Sequence, residues 1–278
     1  MKVGINQWSF HGQPFERMLA VAAKAGFETF EPAVNETAEG AALSAGLHLG
    51  STAADGAAVA ALARDLGLAI PTLACGLGWK YPMTSADSTT RSKAREANVR
   101  VLELAAALGS DTVLVVPGVV NAEISYDAAW GRAQEELAHL ADRAAALKVK
   151  LGVENVWNKF ILSPLEMARF VDEIGSPWVQ VYFDVGNVLV YGFPEQWIRI
   201  LGRRIAAVHV KDFKTAIGNI TGFTNLLSGD VNWPAVTAAL RDVGYQGPLT
   251  AELAPYKHAP EEHARDTARH IRAIIKGV

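Results

Sequence analysis

Short apolar runs and longer alanine-rich amphipathic stretches alternate eight times along this chain, and that alternation limits the fold more than any single motif. The runs are KVGIN (2–6), FETFE (27–31), LAIPTLAC (68–75), DTVLVVPG (111–118), VKLGVEN (149–155), VQVYFD (179–184), IAAVHV (205–210) and PLTAEL (248–253). Helical patterning extends from Pro14 to a stop at Gly26, and over 55–67 with Asp55 as cap and Gly67 as stop. It returns over 88–108, 126–147, 163–174, 194–202, 234–243 and 260–276. Strands that alternate with helices build a parallel sheet, and runs such as TVLVV suit strands buried on both faces. Eight βα units favour closure into a (β/α)8 TIM barrel over an open doubly wound sheet. No Pro/Ser-rich linker or low-complexity run divides the 278 residues, so one domain over 1–278 is expected. The longest aperiodic segment, about 212–232, follows the seventh strand and is expected as a long loop on the face where barrels carry their sites.

Composition narrows the partners. A formal charge of −3 and a pI near 6.2 give no broad attraction for a nucleic-acid backbone, so nucleic acid is not expected. No uncharged apolar stretch reaches the ~20 residues of a membrane span, and the polar pair Asn6 and Gln7 interrupts the first apolar run, unlike a signal peptide. The single cysteine, Cys75, makes no disulfide framework and no C-x-x-C motif, which suits a reducing, cytoplasmic location.

The ends of the last four strands carry the chemistry. The fifth closes on Glu154, the sixth on Asp184, the seventh near His209 and the eighth near Glu252. In an α/β barrel these C-terminal ends converge, so residues distant in sequence meet at the mouth. Carboxylates gathered there repel one another and lose solvation unless a cation or protons offset their charge. A divalent metal resolves that conflict. Three oxygen ligands and one imidazole suit Mn2+, Mg2+, Co2+ or Zn2+, and without thiolates a closed structural zinc site is not expected. Singly, each residue also has an ordinary reading: Glu154 as a helix cap, Asp184 in an Asx-turn with Gly186 and Asn187, His209 as a structural histidine. Glu252, between Ala251 and Leu253, resists such a reading because burial without a partner is costly. The other histidines, His11, His48, His139, His258, His263 and His270, fall in helices or loops and are expected at the solvated surface.

The stretches GVENVWNKF, FDVGN, VHVKD and SGDVNWPAVTAALRDVGYQGPLTAEL resemble the xylose-isomerase-like superfamily of barrels, and within it the sugar phosphate isomerase/epimerase group with the ketose 3-epimerases and L-ribulose-5-phosphate 3-epimerase. The resemblance covers most of the chain and is strongest from about 150 to 255. It implies one divalent metal, often Mn2+, held by Glu154, Asp184, His209 and Glu252, with Glu154 and Glu252 as an acid/base pair on opposite sides of a sugar. It also implies a homo-oligomer, dimer or tetramer. Metal draws charge off a carbonyl and a neighbouring hydroxyl oxygen, so that the adjacent carbon loses a proton and an enediolate forms. Return of a proton to the opposite face epimerises the carbon, and return at the next carbon isomerises aldose and ketose.

Where ketose 3-epimerases commonly carry a second glutamate, a histidine and an arginine, this chain has Phe160, Asn187 and Thr215. Asn187 is closer to the sugar-phosphate epimerases and is placed to meet a substrate hydroxyl. Lys211, Lys214 and the loop from Gly218 to Gly229 are placed to receive a phosphate. The expected partner is thus a small sugar or sugar phosphate. Trp8 and Phe10, Trp79 and Tyr81, and Trp157 follow the first, third and fifth strands, where they would exclude water and stack on a sugar. Glu31, closing the second strand, is left between a substrate contact and an ion pair. A metal-dependent dehydratase of a cyclic polyol keto compound, such as inosose or dehydroshikimate, is the alternative enzyme, and a non-catalytic sugar binder the alternative outside enzymes.

Overall fold

The apolar runs become strands whose neighbours in the main sheet are all parallel, as connections through helices require. A computed structural model of the chain describes residues 1–10, 12–38 and 46–277. Its strands are β1 (Lys2–Asn6), β2 (Thr29–Glu31), β3 (Ala33–Asn35), β4 (Leu47–His48), β5 (Thr72–Cys75), β6 (Thr112–Val115), β7 (Lys150–Glu154), β8 (Val179–Asp184), β9 (Ile205–Val210), β10 (Asp212–Phe213), β11 (Phe223–Thr224) and β12 (Pro248–Ala251). The helices are α1 (Phe15–Ala25), α2 (Ala53–Asp65), α3 (Ser88–Leu108), α4 (Tyr126–Leu147), α5 (Pro164–Ile174), α6 (Pro194–Leu201), α7 (Trp233–Asp242) and α8 (Pro260–Lys276).

The pairing order β2-β1-β12-β9-β8-β7-β6-β5-β3 closes on itself, because β2 and β3 are halves of one barrel strand. Pro32 divides them: it has no N–H to give, but its carbonyl accepts from Ala74 N at 2.8 Å. The first half bridges Ala69 through Thr29, and the second pairs with β5, so the second barrel strand continues past Glu31 rather than ending there. This is the TIM barrel that the alternation predicts.

Local sequence sets the helix ends. Thr52, not Asp55, caps α2; Asp55 is its partner in a capping box, since Thr52 accepts from Asp55 N and the Asp55 side chain accepts in turn from Thr52 N. Asp87, Ser163 and Asn232 cap α3, α5 and α7 by accepting from backbone N–H groups of the first turn. No helix among the described residues is long and apolar enough to cross a membrane.

Two apolar cores follow from the period-2 alternation of strand side chains. Val181, Phe183, Val208 and Val210 belong to the larger core, which includes buried residues of the helices, whereas Tyr182 and Ala207 join Leu114, Val116 and Val156 in a smaller one within the ring. Each fully buried Val, Leu or Phe contributes about 1.5–3 kcal/mol. A one-residue slip of β8 or β9 would exchange those faces, so the outer core holds Asp184 and His209 on the inside.

Segment 212–232 is not wholly irregular. β10 and β11 pair antiparallel, Asp212 with Thr224 and Phe213 with Phe223, and form a hairpin over the mouth.

Candidate metal centre

Strand register brings the four strand-end residues together. Asp184 stands beside His209 across β8 and β9, His209 stands beside Thr250 of β12, and Glu252 follows two residues later on the same face. Glu154 ends β7 next to Tyr182. One ligand atom from each of Glu154, Asp184, His209 and Glu252 lies within 4.8 Å of the others, a group able to hold a metal ion. His209 Nδ1 lies 3.1 Å from Glu154 Oε1 and 3.4 Å from Glu252 Oε2, and Lys211 Nζ lies 2.6 Å from Glu252 Oε2 and 3.3 Å from Asp184 Oδ2.

The turn after β8 explains the acid, the glycine and the asparagine of FDVGN. Asp184 Oδ1 accepts from Asn187 N, three residues on, at 2.8 Å, a cap-like side-chain bond rather than the i to i+2 bond of an Asx-turn. Asn155 clamps Asp184 from the neighbouring strand: its amide donates to Asp184 O, and its oxygen accepts from Asp184 N, both at 2.8 Å. Asn187 Nδ2 donates to Asn155 O at 2.9 Å. Asp184 Oδ2 is thereby aimed inward, buried and without a hydrogen bond. Gly186 is required by close approach, since a Cβ there would lie 2.7 Å from Lys211 Cβ and 2.9 Å from Lys211 O. Gly186→Ala is therefore expected to cost about 1–3 kcal/mol of stability through overpacking, read as a lower midpoint in denaturant melts; an unchanged midpoint would refute the contact.

Glu31 reaches this group from the opposite half of the ring. Its carboxylate accepts from Asn6 Nδ2 at 2.9 Å, Thr72 Oγ1 at 2.7 Å and the Tyr182 hydroxyl, and lies 3.2 Å from His209 Nε2. Gly152 leaves room for the Tyr182 ring, because a Cβ there would stand 3.1 Å from Tyr182 Cβ. His209 Nε2 faces Glu31 and Nδ1 faces Glu154 and Glu252; a proton on Nε2 would leave Nδ1 for an ion, the arrangement in which an outer carboxylate orients a metal-binding histidine.

The electrostatics favour an added cation. Four buried or nearly buried carboxylates, Glu31, Glu154, Asp184 and Glu252, surround His209 and Lys211. Burial pushes the Glu154 carboxyl up to about 7 against the pull of the His209 hydrogen bond, and burial raises Asp184 against the nearby Lys211 charge. Burial also opposes ionisation of Glu252, but the Lys211 charge and the His209 hydrogen bond win and hold it well below the usual range. Lys211 and His209 lose to burial and gain more from the surrounding acids, so both are raised. A divalent ion would relieve the excess of carboxylates, and Asp184 Oδ2, with no hydrogen bond of its own, is the donor such an ion satisfies. The residues present fit a metal.

A cavity of about 730 Å3 opens above the group, lined by Glu154 and Glu252 and also by Trp8, Trp157, Asn187 and Lys211, the four residues expected to contact substrate. Asp184 and His209 are fully buried behind it. Trp157 is fixed by its indole N–H, which donates to Asn187 O at 2.7 Å, and its ring packs 5.1 Å from Phe223. Trp79 lines the cavity as well.

Other expectations are corrected. Phe10 is a core residue packed 6.0 Å from Phe30, since the short turn after β1 returns it beneath the barrel wall. Tyr81 donates its hydroxyl to Glu36 and does not line the cavity. Lys214 is exposed and lies outside the lining. His263 is not solvated: it is buried on α8, 4.9 Å from the Tyr256 ring, and burial pulls its pKa down to about 4. His11 lies outside the described residues. Phe160 sits in an aromatic cluster with Tyr126 and Phe170, and Thr215 hydrogen-bonds Asp230.

Fold and site together define a (β/α)8 barrel with an acidic, imidazole-bearing group at its mouth able to hold a divalent cation. The xylose isomerase-like TIM barrel family matches over residues 19–274, and the chain belongs to that family. In sequence it is similar to the putative L-ribulose-5-phosphate 3-epimerase SgbU of Escherichia coli (strain K12), at 30% identity over 239 residues, 84% of this chain and 82% of the relative. In structure it is similar to D-psicose 3-epimerase crystallised in the presence of D-fructose, with a TM-score of 0.80 at 21% identity over 100% of both chains. An L-ribulose 3-epimerase gives a TM-score of 0.78 at 21% identity over 99% of this chain and 93% of that one. These relatives are named as epimerases, enzymes of the isomerase class, the first of them as a putative one.

Proposed function

We propose that the chain is a divalent-metal-dependent sugar epimerase or isomerase, with Glu154 and Glu252 as the acid/base pair. One observation carries this reading: four ligand atoms lie within 4.8 Å of one another beneath an open cavity, and one of them, Asp184 Oδ2, accepts no hydrogen bond and meets only the Lys211 ammonium at 3.3 Å. When bound there, a divalent ion, Mn2+ foremost, supplies a Lewis acid that draws charge off a carbonyl and its neighbouring hydroxyl.

The side chains do the rest. Glu154 and Glu252 flank the cavity from strands separated in the ring by β8 and β9, so they approach a bound sugar from different directions. One removes the proton beside the carbonyl and the other delivers one to the opposite face; delivery at the neighbouring carbon gives isomerisation instead. Trp8 and Trp157 exclude water and offer apolar faces to the sugar ring, Asn187 meets a hydroxyl, and Lys211 keeps Glu252 ionised. Incubation of a ketose panel with Mn2+ in D2O, followed by ion removal and NMR, tests this directly. Deuterium at one carbon with oxygen retained is the expected result. An unsaturated or diketo product would replace it with a dehydratase, and tight binding without exchange would leave a sugar binder.

Glu31→Gln removes the charge that orients His209 and is expected to weaken Mn2+ affinity by about 10–100-fold, measured by isothermal titration. Unaltered affinity would reduce Glu31 to a packing residue. We further propose a cytoplasmic enzyme that assembles as a dimer or tetramer, to be checked by sedimentation.

A further inference from the structure

We propose that the substrate is an uncharged sugar and that sugar phosphates are excluded; this rests on the epimerase reading above. In α/β barrels, phosphate commonly binds where loops after the last two strands meet a helix N-terminus. Here the protein has already filled both places. After β9, the buried Asp212 carboxylate accepts from Phe213 N at 2.9 Å, Val231 N at 3.2 Å and Trp233 Nε1 at 3.1 Å, so an internal anion holds the donors that a phosphate would need. Asn232 takes the free N–H of Ala235 in the first turn of α7 at 3.2 Å. After β12, α8 begins with Pro260, which has no N–H, followed by Glu261 and Glu262, whose charges repel a phosphate.

The cavity itself points the same way. Among the described residues its lining contains one cation, Lys211, whose ammonium already sits between Glu252 and Asp184. The outer wall is uncharged, with apolar Ile220, Phe223, Trp79 and Pro255 beside neutral Thr224 and Asn225, and Lys80 near Trp79 is paired with Glu36. Residues outside the described set, 11, 39–45 and 278, add one basic side chain, His11. A dianion entering this space would face carboxylates without a partner of its own.

The test compares each of L-ribulose, D-ribulose, D-xylulose and D-fructose with its own terminal phosphate, using Mn2+-loaded enzyme and deuterium wash-in. The free sugar of the reacting pair is expected to show a kcat/KM at least about 100-fold above its phosphate, given the cost of unpaired like charge. Ile220→Arg, which places a cation on the exposed wall away from the reacting groups, is expected to narrow that ratio by about tenfold. Faster exchange of the phosphate in wild type, or an Ile220→Arg ratio identical to wild type, overturns the inference while leaving the epimerase reading intact. Exchange with no member of any pair overturns the epimerase reading, and this inference with it.

Discussion

Glu252→Gln should fold, bind metal weakly and lose deuterium wash-in from solvent into the sugar by about 10²–10⁴-fold, a barrier increase of about 2.7–5.4 kcal/mol. The substitution keeps side-chain volume and an oxygen that accepts from Lys211, whose ammonium retains Asp184 at 3.3 Å. What disappears is a carboxylate able to exchange a proton. Because Glu252 lines the cavity while Asp184 and His209 are buried behind it, the loss falls on the proton-transfer step rather than on the barrel. Exchange at the wild-type rate would remove Glu252 from the acid/base pair and leave Glu154 to act alone or with water.

The second large effect concerns the ion. Protein purified without chelator is expected to hold about one divalent ion per chain, and the His209→Ala, Asp184→Ala double variant none. Removing His209 also leaves three acids, Glu31, Glu154 and Glu252, facing one another, so a gentler companion is needed. Asp184→Asn retains the acceptor for Asn187 N but removes the charge of the oxygen that has no hydrogen bond. Wild type should gain about 2.7 kcal/mol of stability when Mn2+ reaches a hundred times its dissociation constant, seen as a rise in melting temperature, and Asp184→Asn should gain far less. An equal rise in both would place the ion elsewhere.

Several features were readable in the chain before any coordinates. Short apolar runs alternating with amphipathic stretches gave the strands, and the segments about 88–108, 126–147 and 260–276 coincide with α3, α4 and α8. Strand ends are where barrels converge, so Glu154, Asp184, His209 and Glu252 were identifiable by address alone. Glu31 was not assignable, because its partner His209 is 178 residues away and the contact crosses the ring. Its one sequence signal, an acid closing a buried run, is shared by surface ion pairs. Asp212 was likewise hidden: an aspartate after a strand reads as a turn residue until Val231 and Trp233 fold back upon it. His263 looked like a surface residue because helical patterning does not say how deeply its stripe will be covered.

The amino-acid sequence by itself determined the barrel and the addresses of its four strand-end candidate ligands, since backbone period and the apolar patterning of side chains are local properties repeated along the chain. Tertiary structure alone decided which carboxylates remain available. Lys211 is shared between Glu252 and Asp184, Glu31 is committed to His209 and Asp212 to the backbone around α7, while Asp184 Oδ2 faces inward without a hydrogen bond. Pairings of that kind depend on distances between side chains on different strands, which ring closure sets and no local pattern encodes.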